Sequence, residues 1–249
     1  MSDKYHSYKV NVPALKKKLD LAYSKAKKTA RKRGRKMNNK LYSRVPRQSF
    51  GISKSVRGVH AYSQLYTYTA GSLGVFGGSQ VWGLNTVFDP DKTGVGHFQY
   101  LRDQYAALYS RYKITGVRIE DTIADPSADG VVVVHKMKAP SDTSTVVGFS
   151  PTVVGEQPTC DLMYINNTGS QVRKYKRYYP MWKLCNLSKL QFDADFTTVS
   201  TITGANPALM PELETAIAAL DGSSTPTVRI LTKITFYVTW YDLKIVAQA

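Results

Sequence analysis

Cysteine is nearly absent: Cys160 and Cys185 are the only two in 249 residues. That is too few for a disulfide scaffold, and their spacing is not that of a metal knot. Both are expected as reduced, half-buried small hydrophobes. No apolar run approaches the roughly 20 residues of a membrane-spanning helix. The first residues lack an apolar core and a small-residue cleavage pattern, so no secretory signal is expected. His6, His60, His97 and His135 stand isolated, with no HExxH, GxSxG or glycine-rich phosphate loop beside them. A Cys–His pair between Cys160 or Cys185 and His97 or His135 has no supporting motif. The chain is therefore not expected to be an enzyme, and no cofactor is expected. Asp89 with Asp91, and Asp193 with Asp195, are close carboxylate pairs of the kind that ligate Ca²⁺. Turn chemistry accounts for Asp89-Pro90-Asp91, and no metal site is expected.

Acidic residues are also missing where they would matter most. Residues 1–58 contain 18 Lys/Arg and only Asp3 and Asp20, which leaves +16, the formal charge of the whole chain. Residues 59–249 hold 16 Lys/Arg and 16 Asp/Glu and net to zero. A basic arm (1–58) is thus attached to a neutral body (59–249), the pattern of an interaction tail for a polyanion. Within the arm, Pro13 can open a helix in which Leu15, Leu19, Ala22, Ala26 and Ala30 share one face. Such a basic amphipathic helix suits nucleic acid, a membrane surface or a calmodulin-type partner. The stripe is thin, mostly Ala, and lacks Trp and Phe, so membrane insertion is not expected. Phosphate contact is assigned to Lys16, Lys17, Lys18, Lys25, Lys27, Lys28, Arg31, Lys32, Arg33, Arg35, Lys36, Arg44 and Arg47. It would be salt-dependent and indifferent to base sequence. The cluster Lys27, Lys28, Arg31, Lys32, Arg33, Arg35 and Lys36 also reads as a nuclear-localisation signal.

The body reads as all-β. Tyrosine occurs 17 times, and Val, Thr and Tyr fill the runs, a bias toward strands. Strands are expected over 59–69, 81–88, 112–123, 131–137, 171–183, 192–203 and 227–245, the last alternating Ile234, Phe236, Val238 and Trp240 against threonines and tyrosines. Leu101, Tyr105, Leu108 and Tyr112 predict one helix over 97–109. The Ala/Leu/Glu composition of 211–220 favours helix and leaves that segment ambiguous. Seven or eight strands with one short helix make a β-sandwich, with the eight-stranded antiparallel jelly roll as its leading form. Loops at 72–79, 139–158 and 205–225 are candidates for contacts between subunits or with a host receptor.

The segment Arg173-Lys174-Tyr175-Lys176-Arg177-Tyr178-Tyr179 interleaves cations with aromatics. Arg173, Lys174, Lys176 and Arg177 are candidate nucleic-acid contacts on a single-strand stacking surface. The same pattern also describes a strand whose tyrosines pack inward while its cations reach out to solvent.

Gly96-His97, Asp103-Gln104, Leu108-Tyr109, Tyr112-Lys113 and Gly116 follow a pattern found in capsid proteins of circular single-stranded DNA viruses of eukaryotes, the circovirus-like (CRESS-DNA) group. Phe98 stands where Gln is common, and Tyr105 where Leu is common. Phe88-Asp89-Pro90 and the terminal ITFYVTWYD also look like that family, as does the layout of basic arm, neutral body and final strand. The resemblance implies an eight-stranded jelly roll with its arm facing the particle interior, and it turns residues 211–220 into a strand. It also implies an icosahedral T=1 shell and a packaged single-stranded DNA genome. About sixty arms of this charge would neutralise on the order of a thousand phosphates. The expected partners are then further copies of the chain, the DNA genome, nuclear-import receptors and a host-cell receptor. The expected locations are the virion and, during assembly, the host nucleus. Two rival readings share the charge split: the coat protein of a small RNA virus, and a cellular single-strand-binding protein with a β-barrel body.

Overall fold

In the computed structural model, which describes residues 53–94, 96–97, 99–124, 130–166 and 172–244, the last strand is also the longest. β9 (Thr227–Leu243) sits between β1 (Ser55–Thr69) and β3 (Tyr109–Ala124), antiparallel to both. Its alternation decides its faces: Ile230, Ile234, Phe236, Val238 and Trp240 are buried, while Arg229, Leu231 and Lys233 are exposed. β6 (Val172–Pro180) extends the sheet beyond β3, and the three-residue β7 (Ser200–Ile202) pairs with the start of β3. This first sheet runs β1-β9-β3-β6. The second runs β2 (Gln80–Gly83), β8 (Glu212–Ala219), β4 (Val131–Lys138), β5 (Cys160–Ile165). With β7 set aside, the first, eighth, third and sixth strands form one sheet, and the second, seventh, fourth and fifth form the other. That interleaving is the jelly roll. The fold is the expected all-β sandwich, with nine strands rather than eight among the described residues.

The space between the sheets is filled in two zones. Tyr62, Trp82, Tyr112, Phe236 and Trp240 pack one end, and Tyr68, Ile123, Val131, Val133 and Ile217 the other. A third cluster lies outside the second sheet. There Val132, Val134, Ala216 and Ala218 are covered by Phe76, Val146 and Val154. Burial on both faces explains why residues 131–134 are four consecutive valines rather than an alternating strand. It also explains β8. Helix propensity differs among ordinary residues by only tenths of a kcal/mol; a central place between β2 and β4 outweighs that, and small alanines let the covering loops approach.

Several expected elements differ. The helix over 97–109 shortens to α1 (Arg102–Leu108). Leu101 adopts a left-handed conformation, φ 65°, at its start and ends the helix there. Leu101 and Leu108 are 40% and 37% exposed; Arg102 is the buried residue of the helix, and Tyr105 packs half-buried against Trp240. Arg102 donates from Nη2 to the Thr203 carbonyl at 2.8 Å and lies 4.9 Å over the Phe88 ring. The loop after β4 contains the short α2 (Pro151–Gly155), and β5 follows it where no strand was expected. The 171–183 strand ends at Pro180 in the turn α3 (Met181–Leu184). The strand expected over 192–203 is replaced by α4 (Lys189–Ala194). Ser188 and Gln191 cap it reciprocally, and its Phe192 is buried. Only β7 remains extended there. Lys113, on the outer side of β3, fastens α4 across the first sheet by donating from Nζ to the Phe192 carbonyl and, at 2.8 Å, to that of Asp195.

The candidate contact loops are partly structural. Phe76 bridges the 72–79 and 139–158 loops by donating its backbone N–H to the Phe149 carbonyl and accepting at its own carbonyl from Gly148 N, both at 2.9 Å. The 205–225 segment is interrupted by β8. Among the described residues, no helix is long and apolar enough to cross a membrane.

Candidate nucleic-acid interface

The arm cations from Lys16 to Arg47, the localisation-like cluster among them, lie outside the described residues. The four body cations assigned from sequence lie on β6, an edge strand bonded to β3 alone. Arg173, Lys174, Lys176 and Arg177 are all exposed. Period-two geometry divides them. Lys174 and Lys176 point away from the sandwich, together with Tyr178. Arg173 and Arg177 share the side of Tyr175 and lie along the open seam between the sheets. Arg177 Nε stands 3.8 Å from Asp161 of β5, and Lys176 Nζ 2.8 Å from Glu120 of β3. The structure therefore does not gather the four cations on one face.

The tyrosines divide as well. Tyr175 is 7% exposed. Its ring stacks on His135 at 4.0 Å and 4°, and its hydroxyl donates to Asp161 Oδ2 at 2.9 Å and meets the Tyr179 hydroxyl at 2.8 Å. Burial, more than these neighbours, pushes its pKa well above the ordinary tyrosine range. Tyr175 and Tyr179 thus follow the inward-packing reading. Tyr178, 56% exposed, follows the other.

A basic surface does form, from residues the sequence did not single out. Strand registers set Lys174 opposite Thr122, Lys176 opposite Glu120, Lys233 opposite Glu120 on its other side, and Arg229 opposite Ala124. Arg118 and Arg57 lie on the same outer face. Among the described strand residues of that face there are eight cations and one acid, Glu120; two of the cations are taken up by backbone carbonyls, Arg111 by Phe196 at 2.9 Å and Lys113 by Asp195 at 2.8 Å. The acid is shared, with Arg118 Nη2 3.1 Å away and Lys176 2.8 Å away. The Lys176 bond first, then the charges around it, hold the Glu120 carboxyl below its ordinary pKa. Arg57, Lys174, Arg229 and Lys233 have no ion-pair partner among the described residues. The body is neutral in sum yet basic on one sheet face, and such a face attracts polyanions. Parity along β9 held the signal in sequence: once Ile234 and Phe236 point inward, Lys233 and Tyr237 point out. Which strands stand beside β9 did not show.

The other candidates have local roles. Asp91 is buried. Its Oδ1 accepts from Gln80 Nε2 at 2.6 Å, from Thr93 N at 2.9 Å and from Thr93 Oγ1 at 2.7 Å. Asp195 caps the following turn through Thr197 N and Thr198 N, at 2.8 and 2.9 Å. The Thr198 bonds foremost hold its carboxyl far below the usual range. Burial raises the Cys160 thiol and pushes Cys185 up to about 12, away from thiolate chemistry. His135 pairs with Asp121 rather than with a cysteine, and His97 stacks on Tyr62.

No protein-family model matches the sequence, and no curated protein does. Among solved structures, the chain is similar to the decameric BFDV capsid protein. That likeness has 11% identity and a TM-score of 0.44, over 76% of this chain and 99% of the other. Empty-head turnip yellow mosaic virus gives 9% identity and a TM-score of 0.41, over 84% and 92%. Desmodium yellow mottle tymovirus gives 13% and 0.36, over 84% and 95%. The jelly roll itself rests on the strand registers of this chain.

Proposed function

We propose that the chain is a viral coat protein that self-assembles into a small icosahedral shell and packages a single-stranded DNA genome through its basic arm. The observation that carries this reading is the charge split, an arm of +16 joined to a jelly-roll body of zero net charge. A neutral body can pack against copies of itself without long-range repulsion, while the arm supplies the cations that a condensed polyanion needs. Strands β1, β6, β2 and β5 are the ends of their sheets, and shell contacts would cover such edges. The choice of DNA comes from the motif resemblance over residues 96–119, because phosphate charge does not distinguish DNA from RNA. Lys27, Lys28 and the 31–36 cluster would direct nuclear entry, and the arm would face the particle interior.

Negative-stain microscopy of purified protein, with its absorbance ratio at 260 and 280 nm, tests the proposal. Uniform shells that carry nucleic acid are expected, and contents digested by DNase but not by RNase. RNase-sensitive contents would turn the assignment to an RNA-virus coat protein. A monodisperse monomer at every salt and protein concentration would overturn the coat-protein reading in favour of a cellular binding protein.

A further inference from the structure

The outer face of the first sheet is not flat. Where α4 crosses it there is a groove of about 630 Å³. Tyr178, Tyr237 and Trp182 supply its aromatic surface, and Arg57, Lys189 and Asp193 its charges. The rings of Tyr178 and Tyr237 meet edge to face, with centroids 5.7 Å apart at 75°. A backbone irregularity places them. β3 shifts register between Ile114 and Gly116, Thr115 Oγ1 donates to the Tyr237 carbonyl at 3.1 Å, and Tyr178 lies over Gly116, where a Cβ would meet its ring. A second depression of about 340 Å³ on the same face is bordered by three cations, Lys174, Lys176 and Lys233, and by Glu120, which pairs with Lys176. Along β6, Tyr178 and Lys174 are about 13 Å apart, so rings and cations follow one another over the length of a few nucleotides.

We infer that this face is a second nucleic-acid site, in which bases of a single strand stack in the Tyr178–Tyr237–Trp182 groove and phosphates lie along Lys176, Lys174 and Lys233. Exposed π-faces accept any base, and the flanking cations follow the backbone. Asp193 disfavours phosphate inside the groove and leaves an acceptor for a base N–H, such as N3–H of thymine. Arg57, Lys174, Arg229 and Lys233, without an ion-pair partner among the described residues, match a polyanion in charge, and the rings select nucleobases over carboxylates. This inference rests on the proposed single-strand binding and adds a body site, with a different ligand group, to the arm.

The two sites separate by salt and by ligand. Arm contacts are counterion release and fade at high salt, whereas stacking persists. The experiment titrates the full chain with an oligothymidylate of about 20 nucleotides and with an abasic strand of equal length, in low salt and in about 0.5 M NaCl. Tryptophan fluorescence is the readout. Trp82 and Trp240 are fully buried, so a change reports Trp182. Oligothymidylate is expected to quench at both salt concentrations and the abasic strand at neither, although the abasic strand still binds in low salt. Tyr178→Ala removes an exposed ring without touching the core and is expected to weaken high-salt binding about tenfold. Arg57→Ala should weaken it less. Trp182→Phe should abolish the quench while binding measured by anisotropy remains. Equal high-salt affinity for both strands, an unchanged Tyr178→Ala variant, or equal quenching by polyglutamate would overturn the groove assignment. Failure to bind either strand in low salt would overturn the nucleic-acid reading itself.

Discussion

His135 Nε2 lies 2.6 Å from Asp121 Oδ2, and both side chains are fully buried, so β4 of one sheet is tied to β3 of the other by a polar contact inside the sandwich. Tyr175 stacks on the far side of the imidazole and carries the connection on to Asp161 of β5. Asp121 Oδ1 and His135 Nδ1 have no hydrogen-bond partner among the described residues, so the pair is only half satisfied. Removing one member leaves a buried polar group alone, and Asp121→Leu is expected to cost about 3–5 kcal/mol. The double change Asp121→Leu/His135→Phe should cost less than the sum of its singles. Urea unfolding of the full mutant cycle measures the difference. Additive costs would mean that the pair does not act as a unit.

His60 predicts an acid-sensitive fold. Trp240 Nε1 donates to His60 Nε2 at 2.9 Å, which leaves the ring proton on Nδ1, facing the Tyr100 carbonyl at 3.3 Å. Burial lowers the His60 pKa below its ordinary value of 6.5, so the folded state resists protonation while the unfolded chain accepts it. His60 therefore contributes its full stability above that value. The contribution is lost as pH falls through 6.5 toward the lower folded pKa. Chemical denaturation between about pH 7.5 and 5 should show a declining midpoint. In His60→Gln the slope should flatten. An equal slope in the variant would assign the acid sensitivity elsewhere.

The arm should dominate the salt dependence of nucleic-acid binding. Replacing Arg31, Lys32, Arg33, Arg35 and Lys36 with glutamine removes five charges. It should reduce the slope of log K against log salt by about 3.5 for a single strand. Anisotropy titrations at several salt concentrations give that slope. An unchanged slope would place the phosphate contacts outside this cluster.

Phe76 is 1% exposed beneath the 139–158 loop, and its backbone bonds join that loop to the 72–79 turn. Phe76→Ala should cost about 3–5 kcal/mol and should open the 139–158 segment to limited proteolysis before the sandwich unfolds. Cleavage first at another loop would show that the cover is held by other contacts.

Alternation over 227–241 determined the faces of β9 without any structure, because a strand with one buried side has period two. The charge split of arm and body is likewise a property of sequence alone, and the apolar run at 131–134 marked a strand. The tertiary structure decided the rest. Residues 212–219 became a strand because a central place in the second sheet, covered on both faces, outweighs a small intrinsic preference for helix. Phe192 went into a capped helical turn because Ser188 and Gln191 satisfy its first backbone groups, a local signal weaker than the apparent spacing of Phe192, Phe196 and Val199. The apolar stripe of 101–112 held for Tyr105 and Tyr112, which pack on the core, but not for Leu101, which falls outside the helix, while Arg102 turns inward to partners in the distant Phe88 and Thr203. The basic face of the first sheet was hidden for a related reason. Period two tells which way a side chain points, but Arg57, Arg118, Lys174 and Lys233 become neighbours only through pairings between strands far apart in the chain, and no local pattern records those.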